Sequence, residues 1–131
     1  MTRPTEWRTA TITKIHRETS MVRTFTFEFA QAVQHLAGQH YELRLTAEDG
    51  YQATRLYSAA NPASTGDGRT LELTIALMPQ GEVSPYLFNH VETGAQIELR
   101  GPLGRYFVWD ANVTGPTLLL GGGTGVVPLR A

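Results

Sequence analysis

The 131-residue chain has a net charge of −1, with 41% hydrophobic and 18% charged residues, as expected for one globular domain. The near-neutral charge argues against nucleic acid or anionic membrane as a partner, and no apolar run approaches the roughly 20 residues of a membrane span. The absence of cysteine excludes disulfides, thiolate catalysis and cysteine-ligated clusters. The four histidines are not clustered, so no metal site is predicted. Residues 1–7 contain no apolar signal core, and a reducing cytoplasm is the expected compartment.

Alternation of apolar and polar residues predicts a series of β-strands. Phe25, Phe27 and Phe29 alternate with polar residues and should face a core. The predicted strands cover residues 7–16, 21–29, 39–46, a run from 53 that Asn61-Pro62 ends, 71–77 and 95–100. With recurrent turn signals and little helical pattern, this series predicts an all-β, closed antiparallel barrel.

The run Arg55-Leu56-Tyr57-Ser58 places a cation, a phenol and a hydroxyl within one predicted strand. Alternation puts Arg55 and Tyr57 on one face and Leu56 and Ser58 on the other. A guanidinium beside an aromatic ring suits a ligand with an anionic end and a flat ring. The alternative is a barrel-wall tyrosine next to a surface arginine.

One helix is predicted between the last two of these strands. Ser84 is the expected N-cap, Pro85 the first helical residue and Gly94 the stop. The preceding turn, Pro79-Gln-Gly-Glu82, would present free backbone N–H groups at the positive end of the helix dipole, which is a site for an anion. The alternative is an ordinary capped helix whose amides bind water.

The C-terminal part combines two glycine-containing segments. Gly101-Pro-Leu-Gly104 predicts a sharp turn, and residues 116–120 read as a buried parallel-type strand that runs into Gly121-Gly-Gly-Thr-Gly125-Val-Val-Pro128. Pro128 stands where a dinucleotide fingerprint has its third glycine. Only Leu129-Arg130-Ala131 follow it, so we expect no long helix after this loop, and a frayed end.

In this order, the pieces resemble the ferredoxin–NADP reductase-like flavoprotein superfamily. The matching stretches are Gly38-Gln39, Arg55-x-Tyr57-Ser58, Gly81-x-Val83-Ser84, Gly101-Pro-Leu-Gly104 and Gly122-Gly-Thr-Gly125-x-x-Pro128. The resemblance implies a six-stranded antiparallel Greek-key barrel with one capping helix over residues 1–115. Residues 116–131 would be the first strand and glycine loop of a truncated NAD(P)-binding domain.

The resemblance also implies roles for individual residues. Arg55 would pair with a flavin phosphate, Tyr57 would lie against the isoalloxazine or bond the ribityl chain, and Ser58 would sit near flavin N5, where hydride arrives. Leu56 belongs to the same cofactor-binding run. The other implied contacts are Ile75, Ala76 and Leu77 along the ring, Gly81, Glu82, Val83 and Ser84 around the pyrophosphate, and Gly123, Thr124 and Gly125 at the nicotinamide nucleotide. Asn61 stands where many members carry serine.

By this resemblance the chain is the FAD-binding domain of an NAD(P)H-dependent oxidoreductase, with FMN a less favoured cofactor. Electrons would pass from NAD(P)H through the flavin to an acceptor such as a ferredoxin or oxygenase, and NAD(P)H would donate only with a complete second domain or subunit. The alternative is a non-catalytic β-barrel that binds a small ligand or a partner.

Overall fold

The computed structural model describes residues 5–63, 65–109, 112 and 114–131, so the first four residues of the N-terminal segment considered above lie outside it. The described residues form six strands and two short helices. The strands are β1 (Arg8–Arg17), β2 (Val22–Glu28), β3 (His40–Thr46), β4 (Gln52–Ser58), β5 (Thr70–Ala76) and β6 (Gln96–Leu103). The helices are α1 (Ser84–His90) and α2 (Val127–Arg130).

The strands form one antiparallel sheet in the order β4-β3-β6-β1-β2-β5. Its two outer strands meet through a bridge between Ala59 and Leu73, and the Ala60 N–H donates to the Glu72 carbonyl at 2.9 Å. This contact curls the sheet into a barrel. Because β2–β3 and β5–β6 each connect across two intervening strands, the topology is a Greek key. The predicted all-β barrel is confirmed.

The core contains the strand residues that alternation assigned to it. Phe25, Phe27 and Phe29 are buried, as are Tyr41 and Leu43 on β3. On β5, Leu71, Leu73 and Ile75 have no exposed side-chain surface. A period of two along each strand therefore separates the interior of the barrel from its outside.

Helix α1 covers one end of this core with Leu87 and Phe88. Arg23 of β2 fixes it there, because its guanidinium donates to the Phe88 carbonyl at 2.8 Å and lies 4.5 Å from the ring centre of the same residue. Among the described residues, no helix has the length and apolar character to cross a bilayer.

Both predicted ends of this helix need correction. The N-cap is Val83, without a side-chain cap, since the Ser84 hydroxyl instead accepts the Met78 N–H at 2.8 Å and closes the preceding turn. The helix ends at His90, where Val91 becomes extended; Gly94, with φ of 93°, belongs to the turn that leads into β6.

The C-terminal expectations need correction as well. Strand β6 continues through Leu103, so the first three residues of the predicted turn, Gly101, Pro102 and Leu103, belong to the strand. Residues 116–120 form no strand, and Leu118 and Leu120 are 80% and 79% exposed. A parallel-type strand requires cover on both faces, which the described part of the chain does not supply. In the loop that follows, residues 123–126 form a 3₁₀ turn that leads into α2, where Val127 is buried. The expectation of a frayed end stays a prediction.

Candidate functional site

A pocket of about 270 Å³ opens where β4 and β5 part beyond their bridge. Strand β4 forms one wall, β5 the other, and the segment before α1 closes an end. The lining residues are Arg55, Leu56, Tyr57, Thr74, Ala76, Met78, Gly81, Val83, Ser84 and Thr124. Residues that are far apart in the sequence, at 55–57, 81–84 and 124, therefore share one cavity.

Arg55 provides the positive charge of this pocket. Its side chain is exposed, and its Nη1 donates to the Thr54 carbonyl at 2.6 Å. Within the described residues no carboxylate forms an ion pair with Arg55. The remaining donors of the guanidinium fork are thus available to an anionic ligand, whose oxygens they match in geometry.

Tyr57 supplies the aromatic surface. It pairs with buried Tyr41 across β3 and β4, and it packs partly against the core, so its ring position is fixed. Burial raises the pKa of the Tyr57 phenol, while the charge of Arg55 opposes that shift. The phenol is therefore neutral near pH 7 and able to donate a hydrogen bond.

The segment from Gly81 to Ser84 faces Arg55 across the pocket. Gly81 lines the pocket without a side chain, and a Cβ on it would lie only 3.2 Å from the Met78 carbonyl oxygen, so a larger residue would press against this turn. The Gly81 N–H already donates to the Met78 carbonyl at 2.8 Å. The N–H groups of Val83 and Ser84 precede the first bond of the helix, from the Leu87 N–H to the Val83 carbonyl, and can donate to a ligand. Glu82 points elsewhere and accepts a hydrogen bond from the Tyr51 hydroxyl at 2.9 Å.

On β5 the wall is made by the residues that alternate with the core. Thr74, Ala76 and Met78 line the pocket, whereas the Ile75 side chain is fully buried and Leu77 packs against the core. Of the three residues predicted along this strand, only Ala76 lines the cavity. Thr74 and Met78 were missed, although the same alternation that identified the core would have placed them on the pocket face.

The remaining predicted residues lie around the rim. Leu56 lines the pocket and is largely exposed, while half-buried Ser58 pairs with His40 at the end of β4 and is not among the lining residues. From the glycine loop, Thr124 lines the pocket. Gly123 and Gly125 are exposed and do not line it.

Residues 9–108 match the family of oxidoreductase FAD-binding domains. The chain belongs to this family. It is 34% identical over 119 residues to the ferredoxin–NAD(P)(+) reductase component of the naphthalene 1,2-dioxygenase/salicylate 5-hydroxylase systems of a Ralstonia species, covering 91% of this chain and 34% of that protein. It is 33% identical over 132 residues to the aromatic O-demethylase reductase subunit of an Amycolatopsis strain, covering 98% and 38%.

Solved structures agree with this assignment. The Amycolatopsis cytochrome P450 reductase aligns with a TM-score of 0.81 and 32% identity, over 95% of this chain and 37% of that one. The flavohem-like FAD/NAD binding domain of nitric oxide dioxygenase from Vibrio cholerae aligns with a TM-score of 0.81 and 26% identity, over 95% and 54%. This chain spans about a third of the length of the curated relatives described above.

The pocket fits the cofactor of the family. FAD has a flat tricyclic ring, a ribityl chain and a diphosphate. The pocket offers a fixed phenol ring next to an arginine that has no carboxylate partner in the part of the chain that the structure describes. The side-chain-free floor at Gly81 leaves room for a backbone contact with the diphosphate. When bound, FAD supplies the ability to accept a hydride and release electrons singly.

Proposed function

We propose that this chain holds FAD in the pocket between β4 and β5, as the flavin domain of an NAD(P)H-dependent reductase. The observation that carries this proposal is the convergence of Arg55, Tyr57 and the Gly81–Ser84 segment on one cavity. Arg55 binds the diphosphate, Tyr57 contacts the flavin ring or ribityl chain, and the backbone N–H groups of Val83 and Ser84 donate to the phosphates. Gly81 leaves space next to them because it has no side chain.

The structure of β5 indicates how the ring is accommodated. Ala76 is small, so the strand backbone can approach a flat ring closely, and the Thr74 hydroxyl is held 2.8 Å from that of Thr24. We retain Ser58 as the hydroxyl near the reactive edge of the ring, on the basis of its position at the end of β4. Ile75 and Leu77 would act through their backbone and through the core packing that supports it.

The proposed acceptor is a ferredoxin or an oxygenase component. It rests on the relatives, which are named as reductase components of dioxygenase and O-demethylase systems. NAD(P)H is the proposed donor, bound by an NAD(P)-binding domain or subunit. The cysteine-free sequence is compatible with a reducing cytoplasm as the place of action.

The proposed domain boundary lies between residues 115 and 116. Residues 9–108 carry the family match, whereas Leu118, Leu119 and Leu120 are exposed in a segment without strand structure. We assign residues 116–131 to the start of an NAD(P)-binding domain, with Gly123, Thr124 and Gly125 facing the nicotinamide nucleotide.

Titration of the apo chain with FAD tests the function directly. We expect saturable binding with a stoichiometry near one, measured by calorimetry, and a yellow protein that releases its flavin on denaturation. A chain that binds no flavin under reducing, low-salt conditions would instead be a barrel that serves as a non-redox binding module.

A further inference from the structure

A second groove, of about 650 Å³, lies next to the pocket on the other side of Glu82. It runs between the β3–β4 turn, the start of β6 and α1. Leu45, Ala53 and Ile97 contribute its apolar surface, and Tyr51 and Tyr86 add aromatic rings. The pocket takes Gly81 and Ser84 from the segment before α1, and the groove takes Glu82 from the same segment.

Strand β4 connects the two cavities through one face. Tyr51 directly precedes β4, and its carbonyl accepts the Ala47 N–H at 2.8 Å, so it continues the pairing of β4 with β3. Tyr51, Ala53, Arg55 and Tyr57 are spaced two residues apart, so alternation aligns them on the same side. At about 3.3 Å per residue, the Cα atoms of Tyr51 and Arg55 are on the order of 13 Å apart. The charge of Arg55 acts on the Tyr51 phenol, whose pKa is raised chiefly by its hydrogen bond to Glu82. Along one strand the chain thus presents a ring, a cation and a second ring.

The Tyr51 ring is held in place at the boundary of the groove. Its hydroxyl donates to both carboxylate oxygens of Glu82, at 2.9 and 3.1 Å, and its N–H donates to the Asp49 side chain at 3.0 Å. The side chain nevertheless remains 58% exposed. A fixed and accessible aromatic face is suited to stacking against a planar base.

The charges of the groove select against a second phosphate. Glu48 and Glu82 both line it, while the arginine there, Arg44, is ion-paired with Glu98 at 2.6 Å. Carboxylates accept hydrogen bonds from ribose hydroxyls and from an exocyclic amine, but they repel phosphate. The groove is therefore suited to an uncharged nucleoside whose attached diphosphate is held at Arg55.

We propose that this groove receives the adenosine half of FAD, with Tyr51 stacking on the adenine, and that it makes the chain select FAD over FMN. The proposal rests on the proposed function, because the diphosphate must lie at Arg55. Tyr57, Arg55 and Tyr51 then bind the flavin ring, the diphosphate and the adenine in that order along β4.

The test compares FAD and FMN affinities of the full 131-residue chain and three variants, by fluorescence titration. Wild type should bind FAD more tightly than FMN. Tyr51→Ala should raise the Kd for FAD about tenfold or more, in line with base–aromatic stacking, while the Kd for FMN stays within about twofold. Tyr51→Phe keeps the ring and should retain most of the FAD affinity. Tyr106→Ala, at an exposed tyrosine outside the groove, is the matched control and should change neither value.

The outcomes separate this inference from the function on which it rests. Equal loss of FAD and FMN affinity in Tyr51→Ala, whether from a general defect or from misfolding, would overturn the adenosine assignment, as would an unchanged Kd for FAD. A wild-type chain that binds neither flavin would overturn the proposed function itself. If Tyr51→Ala is the only variant that loses the preference for FAD over FMN, the groove is established as the adenosine site.

Discussion

At the scale of single residues, Arg55 has the clearest assigned task, because its guanidinium has no carboxylate partner among the described residues. Arg55→Ala should weaken FAD binding by about 1.5–3 kcal/mol, the range for hydrogen bonds to charged groups, which is roughly 10- to 150-fold in Kd. Arg55→Lys should recover only part of this loss, since an ammonium cannot make the fork contact. Arg17→Ala is a matched control, because Arg17 is also exposed and bonds a nearby carbonyl, that of Thr19. A lysine variant with wild-type affinity would exclude the bidentate phosphate contact.

His35 was not a predicted site residue, and the structure assigns it a structural task. It is 2% exposed, and its Nε2 lies 2.5 Å from the carbonyl oxygen of Asn61, next to the point where β4 and β5 meet. Burial lowers the pKa of His35 below its ordinary value of 6.5, although the hydrogen bond to Asn61 opposes the shift. The folded state therefore favours the neutral ring.

This burial makes stability depend on pH. Since the unfolded chain binds the proton more tightly, the contribution of neutral His35 is complete above about pH 6.5 and is lost progressively as the pH falls below it. Denaturant unfolding between pH 7.5 and 5 should show this decline. His35→Gln, which cannot titrate, should flatten the slope, whereas the same substitution at exposed His90 should leave it as in wild type. A slope that His35→Gln does not change would assign the decline to other groups.

Among the elements, the junction of β4 and β5 determines the shape of the proposed flavin pocket. Asn61 fixes it: its Oδ1 accepts the Glu72 N–H at 2.7 Å, and its Nδ2 donates to the Thr70 carbonyl at 2.9 Å. The residue is 2% exposed, so water cannot replace these bonds.

Asn61→Ala should therefore lower the free energy of unfolding by on the order of 2–3 kcal/mol, the cost of leaving buried polar groups unpaired. Asn61→Ser can restore one of the two bonds and should lose less. Asn89→Ala, at an exposed amide on α1, should stay within about 0.5 kcal/mol of wild type in the same denaturant titration. If Asn61→Ala is as stable as Asn89→Ala, the junction is held by the backbone bridge alone.

The elements also show what periodicity can and cannot predict. Alternation identified the buried phenylalanines and most of the six strands, because a side chain on a strand has only two directions. The first strand was predicted from its β-branched residues. The prediction of Ser84 as the N-cap was wrong because a serine near a helix start has more than one possible partner. Here its hydroxyl accepts a hydrogen bond from the Met78 N–H.

The pocket could be predicted only in part for the same reason. Short motifs identified Arg55, Tyr57 and Ser84, but they contain no information on which strand lies opposite. Thr74 and Met78 became pocket residues because the barrel closes between β4 and β5, and this closure is a long-range contact. The buried-strand prediction for residues 116–120 failed because hydrophobicity indicates that a segment needs cover without showing that the cover is present.

At the scale of the whole molecule, binding of flavin and binding of nicotinamide nucleotide should be separable. Every described residue that lines the proposed flavin pocket lies within residues 55–84 except for Thr124, so the barrel should hold FAD by itself. The glycine segment is in a different situation. Residues 121–126 are exposed, and α2 has only four described residues, too few for the dipole and free amides that a dinucleotide loop uses.

This difference determines how the 131-residue chain should react with reductants. Dithionite should reduce its bound FAD readily. With NADH or NADPH, the observed rate should rise linearly with nucleotide concentration, because a nucleotide that finds no formed site reacts only by collision. Rapid mixing with both nucleotides over a wide concentration range measures this dependence, and dithionite is the control for an accessible flavin. A hyperbolic dependence with a half-point in the micromolar range would show instead that residues 116–131 and the rim of the barrel already form a nicotinamide nucleotide site.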